Sequence, residues 1–174
     1  NYFLNIGRLT KQKNQALLIR SFSNLVKRNN NIYLYIVGDG EQKKLLEKLI
    51  LDNQADKNIF LLGHCKNVFP LIKKSEAVIS TSLWEDPGAV MIESAYCNKL
   101  VISSDCPNGP EEFLEYGKCG YLFKNNDSVD LENKINHFLN ESENTKFKKA
   151  VISKKKSKMY SLFRHYQKLN KILV

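Results

Sequence analysis

The chain has 174 residues, the size of one domain or at most two small ones, and 43% hydrophobic with 26% charged residues is the balance of a soluble globular protein, which excludes collagen, a coiled coil and wholesale disorder. The formal net charge of +9 brings nucleic acid, anionic lipid and phosphorylated ligands forward as partners. That charge is unevenly placed: residues 1–143 hold 17 basic and 18 acidic side chains, whereas residues 144–174 hold 10 basic and none acidic.

Short apolar, β-rich runs alternate with helical patterns along the chain. Strands are predicted at 2–6, 32–37, 59–62, 77–80, 100–103 and 120–123. Their apolarity is continuous rather than alternating, as expected of strands covered on both faces. Between them, residues 13–28 place Ala16, Leu17, Ile19, Phe22 and Leu25 at helical spacing, and 41–52 do the same with Leu45, Leu46, Leu49 and Ile50. Residues 66–74 read as a short helix or turn, and 88–97 and 109–116 as further helices. Repeated β-α units with short connections predict a parallel, doubly wound, Rossmann-like six-stranded sheet with helices on both faces. Past Phe123 the strand pattern stops, and helices are predicted at 128–139, 146–158 and 160–173 as a C-terminal helical layer.

Cys65, Cys97, Cys106 and Cys119 form no C-x-x-C pair, so zinc-site spacing is absent, and their scatter fits reduced thiols of a cytoplasmic protein. No run approaches the roughly 20 apolar residues of a membrane span, and no signal peptide is visible. A chain that opens on Asn1 and enters a strand at once is expected to be a fragment of a longer protein.

Three loops at strand ends carry the chemistry. Gly7-Arg8-Leu9-Thr10-Lys11-Gln12-Lys13 follows the first strand. A cationic strand-to-helix loop there can hold a phosphate, with Arg8 as a bidentate fork and Lys13 as a point charge; the alternative is a solvated basic loop. Gly38-Asp39-Gly40-Glu41 follows the second strand, but Lys43 stands where a dinucleotide fingerprint needs its third glycine, which leaves a tight turn into an acidic helix start as the other reading. Trp84 through Glu93 follows the fourth strand. Pro87 and Gly88 fit a turn into a helix, so the amides of Gly88, Ala89 and Val90 would face an anion. Glu85 and Glu93 could accept hydrogen bonds from hydroxyl groups, or merely make an acidic helix start. The three histidines form no cluster: His64 falls near the strand ends, His137 and His165 on helix surfaces.

Four segments in order resemble the C-terminal domain of family 4 glycosyltransferases of the GT-B fold: Gly7-Arg8-Leu9 with Lys13, Ile36 through Gly40, Phe60-Leu61-Leu62-Gly63, and Glu85 with Glu93 as an E-x7-E pair. The resemblance spans about residues 3–123, and 160–169 fits that family's final helix. It implies that residues 1–174 are a single nucleotide-sugar-binding domain, one half of a GT-B enzyme lacking its N-terminal acceptor domain. It further implies a retaining, metal-independent transfer of a hexose or N-acetylhexosamine from a nucleotide diphosphate sugar, a UDP-sugar foremost, to a glycan or lipid-linked acceptor in surface polysaccharide synthesis. Arg8 and Lys13 would clamp the diphosphate, Glu85 the donor sugar and Glu93 the ribose; Gly7 and the Gly88–Val90 amides would meet phosphate or sugar, and the backbone at His64 and Cys65 the base. No cofactor is implied. Asp86-Pro87 departs from the family's commoner Gly-Phe, and Tyr96-Cys97-Asn98 from its small-residue run. The loop Ser103 through Glu111 is similar to one in members that transfer N-acetylhexosamine, or is a capped helix start. Other readings are a GT-B sugar-nucleotide epimerase and a basic module for nucleic acid or a membrane surface, although no RNA-binding aromatic pattern accompanies the lysines. The basic segment 144–174 would face the absent domain, meet anionic lipid, or stay a solvated lysine face.

Overall fold

The computed structural model describes residues 2–85 and 88–160. Its elements are β1 (Tyr2–Ile6), α1 (Gln15–Arg28), β2 (Tyr33–Val37), α2 (Lys43–Asp52), β3 (Ile59–Gly63), α3 (Phe69–Lys74), β4 (Ala77–Ser80), α4 (Ala89–Tyr96), β5 (Leu100–Ser104), α5 (Pro110–Phe113), β6 (Tyr121–Phe123), α6 (Ser128–Asn140) and α7 (Glu143–Ser157). The strands form one parallel sheet in the order β3-β2-β1-β4-β5-β6. The doubly wound, Rossmann-like arrangement expected from the β-α alternation is therefore the observed one.

Continuous apolar strands are used on both faces. Phe3 of β1 enters one core with Phe22 of α1, Leu46 of α2 and Ile135 of α6. Its neighbour Leu4 points the other way, into a cluster with Val37, Val78 and Ile72 of α3. Met91 and Ala95 of α4 and Phe113 of α5 cover Val101 on that second face. Each of the larger of these side chains contributes about 1.5–3 kcal/mol by leaving water.

The strand order reverses between β1 and β4. β1 pairs with β2 along all five residues, but with β4 through the single register position Leu4↔Val78. The Asn5 amide group, donating to the Ile79 carbonyl at 2.8 Å, helps close this seam. At the strands' carboxyl ends the chain leaves β1 and β4 for helices on opposite faces of the sheet, α1 and α4, and this switch point is where doubly wound sheets bind ligands.

Several element limits differ from the sequence reading for local reasons. α1 begins at Gln15, not 13, because Asn14 takes a left-handed conformation (φ 49°) after a 3₁₀ turn at Lys11–Lys13. α2 begins at Lys43, two residues late, after a turn in which the Lys43 amide donates to the Gly40 carbonyl and the Gln42 amide to the Leu9 carbonyl. The helix expected over 109–116 breaks after Phe113, and Glu115 and Tyr116 have positive φ in a following 3₁₀ turn. α7 starts three residues early because Ser142 caps it, its hydroxyl accepting from the Thr145 amide. That helix buries the small Ser153 and Ser157 and leaves Phe147, Val151 and Ile152 exposed. The helix expected over 160–173, with His165, lies outside the described residues apart from Tyr160, which ends a 3₁₀ turn.

Candidate active site at the strand carboxyl ends

The β1 loop is held by the β2 loop. Gly7 donates its amide to the Val37 carbonyl at 2.9 Å, and Leu9 donates to Asp39 at 2.9 Å. A Cβ on Gly38 would stand 1.9 Å from the Gly7 carbonyl oxygen, and one on Gly40 2.4 Å from that of Leu9. Gly38 also has φ +147°, a conformation that side chains rarely adopt. The two glycines of the β2 end thus form a groove for the β1 loop. Along that loop the stem of Lys13 passes Gly7, and a Cβ there would lie 3.5 Å from the stem.

The β1 and β4 loops are zipped together. Leu83 donates to the Gln12 carbonyl at 2.8 Å, the Gln12 side chain donates to the Trp84 carbonyl at 2.9 Å, and the Thr81 hydroxyl donates to the Lys13 carbonyl at 2.9 Å. This brings Lys13 Nζ to 2.8 and 2.9 Å from the two carboxylate oxygens of Glu85. Glu85 is only 7% exposed. Burying a carboxylate is costly unless it is paired and hydrogen-bonded in this way. A second donor is the Ser82 hydroxyl, 2.5 Å from Oε1, and the Glu85 amide donates to the Pro107 carbonyl at 3.1 Å. Ser104 then fixes Ser82, its hydroxyl donating to the Ser82 carbonyl at 2.6 Å. The buried Cys106 thiol stands close enough to feel Glu85 and Lys13, and burial, the largest influence, pushes it up.

The other expected site residues lie on the β1 and β3 loops and on the start and second turn of α4. Arg8 is exposed on the β1 loop, and His64 is exposed after β3. Gly88 caps α4 with φ +34°, and a Cβ there would meet the Met91 methyl at 2.3 Å. The amides of Ala89 and Val90 lie in the first turn of that eight-residue helix, where no preceding carbonyl can take them and the dipole favours an anion. Val90 and Cys65 pack against one cluster, so the β3 loop borders the start of α4. Glu93 stands in the next turn of α4, where burial pushes its carboxyl up. It lines a cleft of about 450 Å³ with Phe69, Ile92, Tyr96, Lys158 and Tyr160. Among the described residues no hydrogen bond joins it to Lys13 or Glu85.

Gln12, Thr81, Ser82 and Ser104 were not singled out by the sequence reading. For Thr81, Ser82 and Ser104 the signal is a small polar residue at the end of a buried apolar strand, each at most 1% exposed. Among the described residues no group of three or more His, Cys, Asp or Glu could share a metal ion. None of their helices is long and apolar enough to cross a membrane, and all four cysteines are free thiols.

A six-stranded Rossmann-like sheet with a cationic β1 loop and a carboxylate at its reversal point has the architecture of GT-B glycosyltransferases. The family model "Glycosyl transferases group 1" matches residues 1–158, and the chain belongs to that family. An uncharacterized glycosyltransferase of Methanocaldococcus jannaschii is 42% identical over 135 residues, which cover 70% of this chain and 33% of that protein. A Campylobacter jejuni protein named N-acetylgalactosamine-N,N'-diacetylbacillosaminyl-diphospho-undecaprenol 4-alpha-N-acetylgalactosaminyltransferase is 32% identical, over 90% of this chain and 41% of its own length. A structure of S. aureus TarM with fondaparinux, alpha-GlcNAc-glycerol and UDP superposes with TM-score 0.90 at 27% identity, covering 98% of this chain and 34% of that one. The chain thus spans about a third to two-fifths of these proteins.

Proposed function

We propose that this chain is the donor-binding, C-terminal domain of a retaining family 4 glycosyltransferase. In this reading it binds a nucleotide diphosphate sugar, a UDP-sugar foremost, and serves transfer of a hexose or N-acetylhexosamine to a glycan or lipid-linked acceptor on the cytoplasmic side of a membrane. The observation that carries the reading is the Lys13–Glu85 pair at the reversal point of the sheet. The UDP of the TarM complex and the diphospho-undecaprenol in the C. jejuni protein's name support donor and acceptor class.

The chemistry follows from the groups present. Departure of the nucleotide builds negative charge on the diphosphate, and Arg8 and Lys13 supply the fixed cations that stabilise it. Lys13 is partly shielded from water beside Glu85, so its charge acts more strongly on a nearby phosphate than it would in bulk water. Released from Lys13, Glu85 accepts hydrogen bonds from sugar hydroxyls while Ser82 holds its position. The first-turn amides at Gly88, Ala89 and Val90 meet phosphate or sugar. Glu93 takes the ribose hydroxyls, and the backbone at His64 and Cys65 borders the base. This mechanism uses no metal or cofactor. The acceptor pocket belongs to an N-terminal domain, so residues 1–174 alone bind nucleotide and transfer nothing.

The test is product analysis with the full-length enzyme and UDP-sugars. A glycoside keeping the donor's anomeric configuration, with UDP released, is the expected result. An inverted glycoside, or an epimerised nucleotide sugar with no transfer, overturns the reading.

A further inference from the structure

The loop after β5 is anchored at both ends. At its start the Ser104 hydroxyl donates to the Ser82 carbonyl at 2.6 Å. Next to it, Asp105 donates its amide to the Phe123 carbonyl at 2.8 Å, and its carboxylate accepts the Asn125 amide at 2.6 Å. At the far end the Gly109 carbonyl accepts the Phe113 amide at 2.8 Å as α5 begins. Between these anchors Asn108 is exposed, in a left-handed conformation with φ 69°. Its two neighbours fix where it stands. The carbonyl of Pro107 accepts the Glu85 amide at 3.1 Å. A Cβ on Gly109 would lie 4.0 Å from the Met91 methyl, the same methyl that a Cβ on Gly88 would meet at 2.3 Å. Asn108 therefore spans the gap between Glu85 and the start of α4.

We propose that Asn108 is a specificity residue for the donor sugar, its carboxamide donating to a sugar hydroxyl oxygen beside Glu85. This rests on the chain being a donor-binding domain, in which Glu85 meets the sugar and the amides at the start of α4 meet phosphate or sugar. A hydroxyl group donates one hydrogen bond and has two lone pairs to accept others. The Glu85 carboxylate takes only the donated proton, so the lone pairs of the same hydroxyls need a separate donor. Lys13 and Arg8 are committed to the diphosphate in that reading, and the Asn108 amide supplies two N–H donors without adding charge. Its loop is already ordered, so little freedom is lost when the sugar binds. Epimers differ in the direction of one hydroxyl, and a donor fixed at one position separates them.

The backbone allows a test that spares the loop. Glycine adopts a left-handed φ without strain, and aspartate tolerates it as asparagine does. Asn108→Gly thus removes the carboxamide, whereas Asn108→Asp keeps its size and withdraws its N–H donors. UDP-glucose, UDP-galactose, UDP-N-acetylglucosamine, UDP-N-acetylgalactosamine and bare UDP are titrated into the full-length enzyme without acceptor. The sugar nucleotide that the wild type binds best should lose about fivefold in affinity to Asn108→Gly, and at least as much to Asn108→Asp. The preference among the four should narrow, and UDP should bind Asn108→Gly as it binds the wild type. Unchanged sugar-nucleotide affinity in either variant overturns the proposal: asparagine then stands there for its backbone conformation alone. Equal losses for UDP and the sugar nucleotide in Asn108→Gly also overturn it, since the bare nucleotide has no sugar to lose. A wild type that binds none of the five overturns the donor reading and this inference with it.

Discussion

Lys13 and Glu85, 72 positions apart in the chain, meet through two charge-assisted hydrogen bonds of 2.8 and 2.9 Å. The Lys13 side chain is 21% exposed and that of Glu85 9%, so water screens the pair only partly. Before a donor arrives, each group therefore answers the other's charge. An incoming diphosphate can take the lysine, and sugar hydroxyls can take the carboxylate.

Removing one partner strands the other. Lys13→Met is expected to lower stability by about 2 kcal/mol, below the range for fully buried pairs because the lysine retains some exposure. Lys13→Met combined with Glu85→Gln should cost less than the two single changes added together. Urea denaturation of the four proteins gives the coupling directly.

Gly38→Ala should be far more damaging than Gly63→Ala. The first places a methyl against the Gly7 carbonyl, and the second meets open space with only a left-handed φ of +72° to strain it. Losses of about 3 kcal/mol or more and about 1 kcal/mol are expected. Denaturant midpoints check both, and the Gly38 variant should also lose nucleotide binding as the β1 loop shifts.

The anchor of α7 should be acid-labile. Burial works to raise the Glu141 carboxyl, but hydrogen bonds from Lys149 and Tyr121 outweigh it and hold the group below its ordinary value. A depressed carboxylate stabilises the fold above its unfolded value, and that contribution disappears as pH falls through the folded one. Glu141→Gln should therefore lower the melting temperature at neutral pH and flatten its decline in acid, which melts across a pH series would show.

Glu93 should show the opposite sign. Burial disfavours its ionised form, so above the ordinary carboxylate range the charge costs stability. Glu93→Gln should raise the melting temperature at neutral pH while weakening nucleotide binding. A variant that is no more stable, or that binds nucleotide as well as the wild type, contradicts the assignment.

The strands were legible because their apolar runs are long enough for two covered faces, and Lys13 and Glu85 were legible as charged residues after strands. Their partnership was not, because it depends on β4 returning beside β1 rather than on any local pattern. Gly38 read as a turn for the same reason: the backbone it makes room for, at Gly7, lies 31 positions earlier. Ser82 and Ser104 look like ordinary strand ends until the β4 and β5 loops are laid side by side. The late start of α1 turns on the left-handed Asn14, whose conformation is forced by the 3₁₀ turn carrying Lys13. The +9 charge is concentrated in residues 144–174, whereas Arg8 and Lys13 belong to a nearly neutral stretch, so composition pointed away from these two cations.

Calorimetric titration of UDP, GDP and ADP into the wild type, Lys13→Met and Glu85→Gln tests the donor site most directly. One nucleotide diphosphate, UDP foremost, should bind the wild type and lose at least tenfold in affinity to Lys13→Met, about 1.4 kcal/mol or more. Glu85→Gln should lose much less with the bare nucleotide, since its contact is with the sugar. Absence of binding by all three, or unchanged affinity in Lys13→Met, would contradict a donor site at the β1–β4 switch point.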